Sequence, residues 1–256
     1  MPPADDISFE QRALLYGGFS EVALIERPAI DLFRQLGWQT ADLFAEFGGR
    51  SGGSRSPEGR ESKRDAVLPN RLRLTLKRLN PGLDAAALDE AYAALARDRG
   101  AIDPVRANAE LHELLCDGVK VKVRAPDGAL FDETVRVIDW DKPDANDFFL
   151  GSQVWFAGDL YTRRADLVGF VNGLPLLFIE LKAAHRALAD AYEGNLRDYI
   201  HAIPQVFVPN AFVILSNGID ARLGSARSPL DHFNEWKRAD DEQELARAAH
   251  FQRGAG

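Results

Sequence analysis

The sequence contains one cysteine, Cys116, and one methionine in 256 residues. A lone cysteine excludes an intrachain disulfide and any zinc site built on several thiolates. On the helix that holds Leu114-Leu115, Cys116 reads as a small buried residue. No apolar run approaches the roughly 18–20 residues of a membrane span. The acidic start MPPADDISFE lacks the basic-then-apolar order of an export signal. A cytoplasmic chain without membrane association is therefore expected. No G-x-x-x-x-G-K-[ST] phosphate loop occurs, so ATP binding of that kind is not expected of this chain. A basic excess is missing as well: 31 Lys and Arg face 39 Asp and Glu, a net charge of -8. That is the opposite of the surface that holds DNA unaided. The hydrophobic fraction of 46% and charged fraction of 27% are an ordinary globular balance.

The positive charge that is present is concentrated. Residues 48–80 hold nine Lys and Arg against three acids, a local +6. They read either as a solvated loop and helix face or as a contact for the DNA backbone. Residues 48–64 within them are rich in Gly, Ser and Arg and lack apolar residues, the composition of a flexible surface loop. Residues 1–19 form an N-terminal extension without a clear period. A helix follows, starting from an N-cap at Ser20 or with Pro28 in its first turn, and running to Leu36-Gly37. Its apolar stripe is Val22, Ile25, Ala29, Phe33 and Leu36. The helical segment 67–116 divides into pieces at about 67–79, 84–98 and 103–116, the last two capped by Asp84 and Asp103.

Residues 118–216 carry the pattern of a sheet core. VKVKVR and TVRVIDW alternate on either side of Pro126-Asp127-Gly128, an antiparallel hairpin. QVWFAGDLY and ADLVGFV are further strands. LPLLFIELK is a near-continuous apolar run, the mark of a strand covered on both faces. A helix at about 187–202 then precedes a buried strand in AFVILS, which makes a βαβ crossover. Residues 239–256 are a polar tail.

Chemistry gathers at the end of LPLLFIELK. Seven lysines and 39 acids predict about one acid-x-Lys triplet by chance. The chain has three: Glu61-Ser62-Lys63, Glu180-Leu181-Lys182 and Glu235-Trp236-Lys237. The first lies in the loop and the third in an expected helix after Asp231. Only the middle one is on a buried strand. Alternation places Glu180 and Lys182 on one face, and charge there needs a partner, a metal or an exit to solvent. Asp166 is the candidate partner, on the strand joined through Asn172-Gly173. A plain two-residue turn pairs Val171 with Leu174 and sets Asp166 opposite Ile179. One bulge, or a longer turn, shifts the register by a residue and brings Asp166 opposite Glu180. Pro175, which has no amide hydrogen, favours such an irregularity. Two carboxylates and an ammonium would then converge, a set suited to holding Mg2+, polarising a phosphodiester and offsetting transition-state charge.

Asp166, thirteen intervening residues and Glu180-Leu181-Lys182 on an apolar strand resemble the PD-(D/E)xK nuclease superfamily, with Ala165-Asp166 in place of Pro-Asp. Longer stretches, YTRRADLVGFVNGLPLLFIELK, NLRDYIHAIPQVFVPNAFVILSNG and HFNEWKR among them, are similar to the N-terminal nuclease region of type I restriction enzyme R subunits. The likeness covers residues 20–238. It implies an α/β fold, a restriction-endonuclease-like mixed β-sheet flanked by helices with a helical N-terminal part. It implies a Mg2+-dependent endonuclease domain acting on double-stranded DNA, beside the methyltransferase and specificity subunits of a restriction-modification complex. Asp166, Glu180 and Lys182 would be catalytic, the two acids holding the metal. A further acid is implied on the opening helix, Glu26 with Glu21 behind it, against the plainer reading of a solvated helix acid. The family's Gln-x-x-x-Tyr becomes Asn195 and Tyr199, four apart on one helix face. Arg163 and Arg164 either contact DNA phosphate or form surface ion pairs. The ATP-driven translocase of the family has no counterpart here, so the chain reads as truncated before the motor. Two competing readings are a stand-alone repair or mobile-element nuclease of the same fold, and a non-catalytic DNA- or subunit-binding remnant.

Overall fold

Capping and apolar spacing set the helices of the N-terminal part. The computed structural model describes residues 21–47, 56–124 and 128–236. Helix α1 (Glu21–Gln35) lays Ile25, Ala29, Ile30 and Phe33 on the sheet and keeps Pro28 in its interior, not at its start. Leu36, expected in the stripe, is exposed, and Ser20 lies outside the described residues. Strand β1 (Gln39–Asp42) follows. Then come α2 (Pro69–Leu79), α3 (Ala85–Ala96) and α4 (Pro104–Asp117). Asp84 accepts from the Ala87 amide, and Asp103 from those of Val105 and Arg106. Each such cap is worth about 1 kcal/mol over alanine. Cys116 is exposed, contrary to expectation. The buried stripe of α4 is Ala107, Leu111 and Leu115, and the next position along falls off that face.

Strands β2 (Val119–Arg124) and β3 (Leu130–Val135) form a two-stranded sheet of their own. Strand β3 starts earlier than the alternation of TVRVIDW suggests, and Val137 and Ile138 are buried beyond its end. The hairpin shares an apolar cluster with α2, α3 and α4 through Val121, Val135, Leu76, Ala91 and Leu111. It extends the helical part and is not joined to the main sheet.

The main sheet adds β4 (Phe148–Ala157), β5 (Thr162–Val171), β6 (Leu174–Leu181), β7 (Phe212–Ser216), β8 (Ala221–Gly224) and β9 (Asn234–Glu235). Its order is β1-β4-β5-β6-β7-β8-β9. The β1–β4 and β6–β7 pairs are parallel and the others antiparallel. A parallel pair needs a crossover, and helix α5 supplies it between β6 and β7. It runs as an α-helical turn Leu188–Asp190, a π-helical segment Ala191–Leu196 and an α-helical segment Arg197–Ala202. Helix α1 covers Leu167, Leu177, Ile179 and Leu181 on one face. Helix α5 covers Phe170, Phe178 and Val213 on the other. With both faces covered, β6 has no solvent side, which is why LPLLFI runs apolar without a break. Glu235, expected on a helix, is on the exposed edge strand β9. The mixed sheet between helices is the architecture expected from the sequence. No helix among the described residues is long and apolar enough to cross a membrane.

Residues 56–64 are not the surface loop their composition suggests. Ser56 and Arg60 are buried. Arg60 donates to Glu46 at 2.7 Å and to the carbonyls of Asp65 at 2.9 Å and Trp155 at 2.8 Å. Its guanidinium also lies 4.7 Å from the centre of the Phe156 ring. An arginine in a Gly/Ser-rich stretch reads as solvated, but this one clamps the segment onto β4. Residues 48–55 lie outside the described residues.

Candidate active site

Two strand irregularities build the site. Asn172 and Gly173 take φ of 53° and 82°, the left-handed pair of a two-residue hairpin turn. Val171 accordingly pairs with Leu174 and Phe170 with Pro175. The ladder then slips between Gly169 and Phe170, so that Gly169 faces Leu177 and Leu167 faces Ile179. The slip is the bulge, not the longer turn, and Leu176 is the inserted residue. Carried one residue further, this register sets Asp166 opposite Glu180. The Leu181 amide donates to Asp166 Oδ2 at 2.9 Å across that step.

Strand β4 meets Asp166 with the second irregularity. Ser152 pairs with Leu167 and Val154 with Ala165, leaving Gln153 between them with a φ of 56°, rare for a side-chain-bearing residue. Phe149 lies in the same core cluster as Val154 and Phe156, so the in-out alternation inverts at Gln153. The inversion leaves the Gln153 amide free to donate to Glu26 Oε2 at 2.9 Å, tying α1 to the sheet. Nothing in GSQVWF marks Gln153, because its role comes from the backbone and not from residue type.

The carboxylates are pinned by one oxygen each. Glu180, 1% exposed, accepts at Oε1 from Lys182 Nζ at 3.1 Å and from Asn195 Nδ2. Glu26 is 2% exposed, which rules out a solvated helix acid; the Glu21 side chain is outside the described residues. The remaining oxygens, Glu180 Oε2 and Glu26 Oε1, are buried without a hydrogen-bond partner. Native proteins rarely leave such atoms orphaned unless a ligand or ion completes them.

Burial pushes the Glu180 carboxyl up to about 8, with the Asp166 charge adding to the rise. Burial raises Glu26 to about 7, against the hydrogen bond from Gln153. Asp166 is raised by burial too, opposed by the Leu181 amide and by Lys182 and Arg164. A carboxyl raised in the folded state is protonated there while its unfolded counterpart is ionised. Stability from such a group is complete below the unfolded pKa and is lost as pH rises through the folded one. In chelator, the melting temperature should therefore fall between about pH 5 and pH 8, and Glu180→Gln should flatten the fall. Melting curves of the two proteins across that range check this; equal slopes would show that Glu180 is not held neutral.

The other candidates divide. Asn195 reaches Glu180 from the π-helical part of α5, the kind of widened turn that recurs at functional sites. Tyr199 does not reach the carboxylates. Its hydroxyl donates to the Arg164 carbonyl at 3.0 Å, and its ring packs on Phe178, so it braces β5 next to Asp166. Arg163 is engaged in an ion pair with Asp198. Arg164 is exposed and sits 5.5 Å from the centre of the Phe44 ring. Among the described residues, no three His, Cys, Asp or Glu side chains gather closely enough to cage an ion unaided. A site on Asp166 and Glu180 would leave several positions to water, which suits Mg2+.

The type I restriction enzyme R protein N terminus is the family whose sequence profile matches residues 18–232. This chain belongs to that family. It is similar to the type I restriction enzyme HindI endonuclease subunit of Haemophilus influenzae, 33% identical over 230 residues, 87% of this chain and 21% of that protein. It is also similar to a provisionally named type I restriction enzyme MjaIXP endonuclease subunit of Methanocaldococcus jannaschii, 27% identical over 237 residues, 88% of this chain. The chain spans 21% of the length of each of these relatives. Within this R-protein N-terminal region, the matched residues include all three pinned carboxylates and Lys182.

Proposed function

We propose that this R-protein region is a Mg2+-dependent endonuclease that hydrolyses phosphodiester bonds of double-stranded DNA. The observation that carries the reading is the pair of opposed carboxylates, Asp166 and Glu180, with an orphaned buried oxygen and Lys182 beside them. Mg2+ bound there would supply Lewis-acid polarisation of the phosphate and a more acidic water. The orphaned Glu180 oxygen fits a hard, oxygen-seeking cation. Asp166 and Glu180 would hold the ion, each fixed through the oxygen already hydrogen-bonded. Asn195 keeps Glu180 in place from α5. Lys182 offers its ammonium protons to the attacking water or to a phosphate oxygen, offsetting charge that grows in the transition state. Glu26, held by Gln153, adds a third acid. In this reading, methyltransferase and specificity subunits of a cytoplasmic type I complex choose the DNA, and a motor elsewhere in the complex supplies it.

Nicking of supercoiled plasmid in Mg2+, with motor and partner subunits supplied separately, tests the proposal. Wild type should cut, and Asp166→Ala should not. Cutting that survives Asp166→Ala would remove the site assignment, and no cutting by the complete assembly would favour a binding-only role.

A further inference from the structure

Of the seven Lys and Arg among the described residues 56–80, four are ion-paired in the fold. Arg60 pairs with Glu46, Arg64 with Asp159, Arg71 with Glu58 and Asp147, and Arg73 with Asp89. Lys63 differs. Among the described residues no carboxylate lies within ion-pair distance of it, and its ammonium sits 4.8 Å from the centre of the Trp155 ring. Trp155 pairs across the β4–β5 ladder with Arg164, whose guanidinium is 5.6 Å from the same ring. Arg164 stands two residues before Asp166 on β5.

We propose that Lys63 and Arg164, set against the Trp155 ring that both contact, form a phosphate track leading the DNA backbone to Asp166 and Glu180. The inference rests on the nuclease reading above. A cation against an aromatic face is oriented and partly desolvated, but the ring takes up none of its N–H donors. A carboxylate partner would have used them, as Asp198 uses those of Arg163. The guanidinium fork of Arg164 remains able to grip a phosphate through two bonds.

The mounting is rigid. The Lys63 carbonyl accepts from the Ala157 amide at 2.7 Å, which fixes Lys63 to the end of β4. Buried Arg60 holds the same segment through Trp155 and Asp65. With two cations against its ring, half-buried Trp155 is not offered as a platform for base stacking. The track thus contacts backbone, and phosphate contacts carry no sequence information. That suits a region whose DNA target is chosen by other subunits.

The test is binding of two fluorescent DNA duplexes of unrelated sequence by the full chain, across a range of salt concentrations. Lys63→Ala and Arg164→Ala should each weaken binding several-fold on both duplexes and each lower the slope of log K against log salt by about 0.9. Lys63→Arg should keep the wild-type slope. Arg73→Ala, on α2 and paired with Asp89, should bind as wild type. Melting curves confirm that the variants fold. Unchanged slopes in Lys63→Ala and Arg164→Ala would overturn the track, as would a loss confined to one sequence or wild-type binding without salt dependence. The nuclease reading fails separately. Slopes that fall without any Mg2+-dependent cutting by the assembled complex keep the track and remove the nuclease, whereas cutting that needs Lys182 with unmoved slopes removes the track alone.

Discussion

Lys182→Ala is expected to lower Mg2+-dependent DNA cleavage by about 10²–10³-fold, the loss typical when one donor to developing transition-state charge is removed. The substitution should leave the fold intact, because Lys182 lies just past β6 and its one ion pair among the described residues is with Glu180. It has a second consequence. The Lys182 charge opposes the rise of the Glu180 pKa, so its removal should keep Glu180 protonated to higher pH and weaken metal binding near neutrality. The two effects separate by pH. At pH 9 the metal affinity of Lys182→Ala should approach that of wild type, while the cleavage rate should remain low. A rate that recovers together with affinity would reduce Lys182 to a tuner of Glu180.

Arg60→Ala should be the most damaging single change to stability. Both side chains of the Arg60–Glu46 pair are fully inaccessible, and breaking a buried pair from one side costs about 3–5 kcal/mol. Among the described residues Glu46 would keep only Ser56 as a partner, while the Asp65 and Trp155 carbonyls would lose the Arg60 donor. Denaturant unfolding measures the loss directly. A double variant, Arg60→Met with Glu46→Leu, removes both charges and should recover part of it, because an apolar pair of similar volume avoids the desolvation cost. Recovery should be incomplete, since the two carbonyls remain unserved. A loss below about 1 kcal/mol, the range of an exposed pair, would mean that the 56–65 segment is not clamped as described.

Much of the fold was legible because local chemistry and global pattern agree. Asp84 and Asp103 announce their helices, and the apolar run of β6 announces a strand covered on both faces. The bulge beside Gly169 was legible for a different reason: Asp166 and Glu180 can share a site only if the register slips, so chemistry demanded a feature that pattern alone did not show. Other features had no such signal. Gln153 takes its place through a left-handed backbone inside a strand. Arg60 is buried in a stretch whose composition is that of solvent-exposed chain, since only tertiary partners can compensate its charge. Strand β1 is four residues long and lies at a sheet edge, too short for alternation to register. Cys116 was misplaced by one helical position. Spacing finds Asp166 and Glu180, and the family resemblance points to Glu26 and Asn195, but the Leu181 amide and the Gln153 side chain that orient the acids belong to contacts made only in the folded chain.

The central claim is that Asp166 and Glu180 jointly hold a divalent cation. Titration of the isolated chain with Mn2+, followed by electron paramagnetic resonance, tests it without motor, partner or DNA. One saturable site is predicted, tightening as pH rises from about 6.5 to about 8.5 because the raised carboxyls must release protons to bind. It should be lost in Asp166→Ala and in Glu180→Gln, and kept in Glu235→Ala on the edge strand. Mn2+ binding of unchanged affinity in Asp166→Ala and Glu180→Gln would contradict the account.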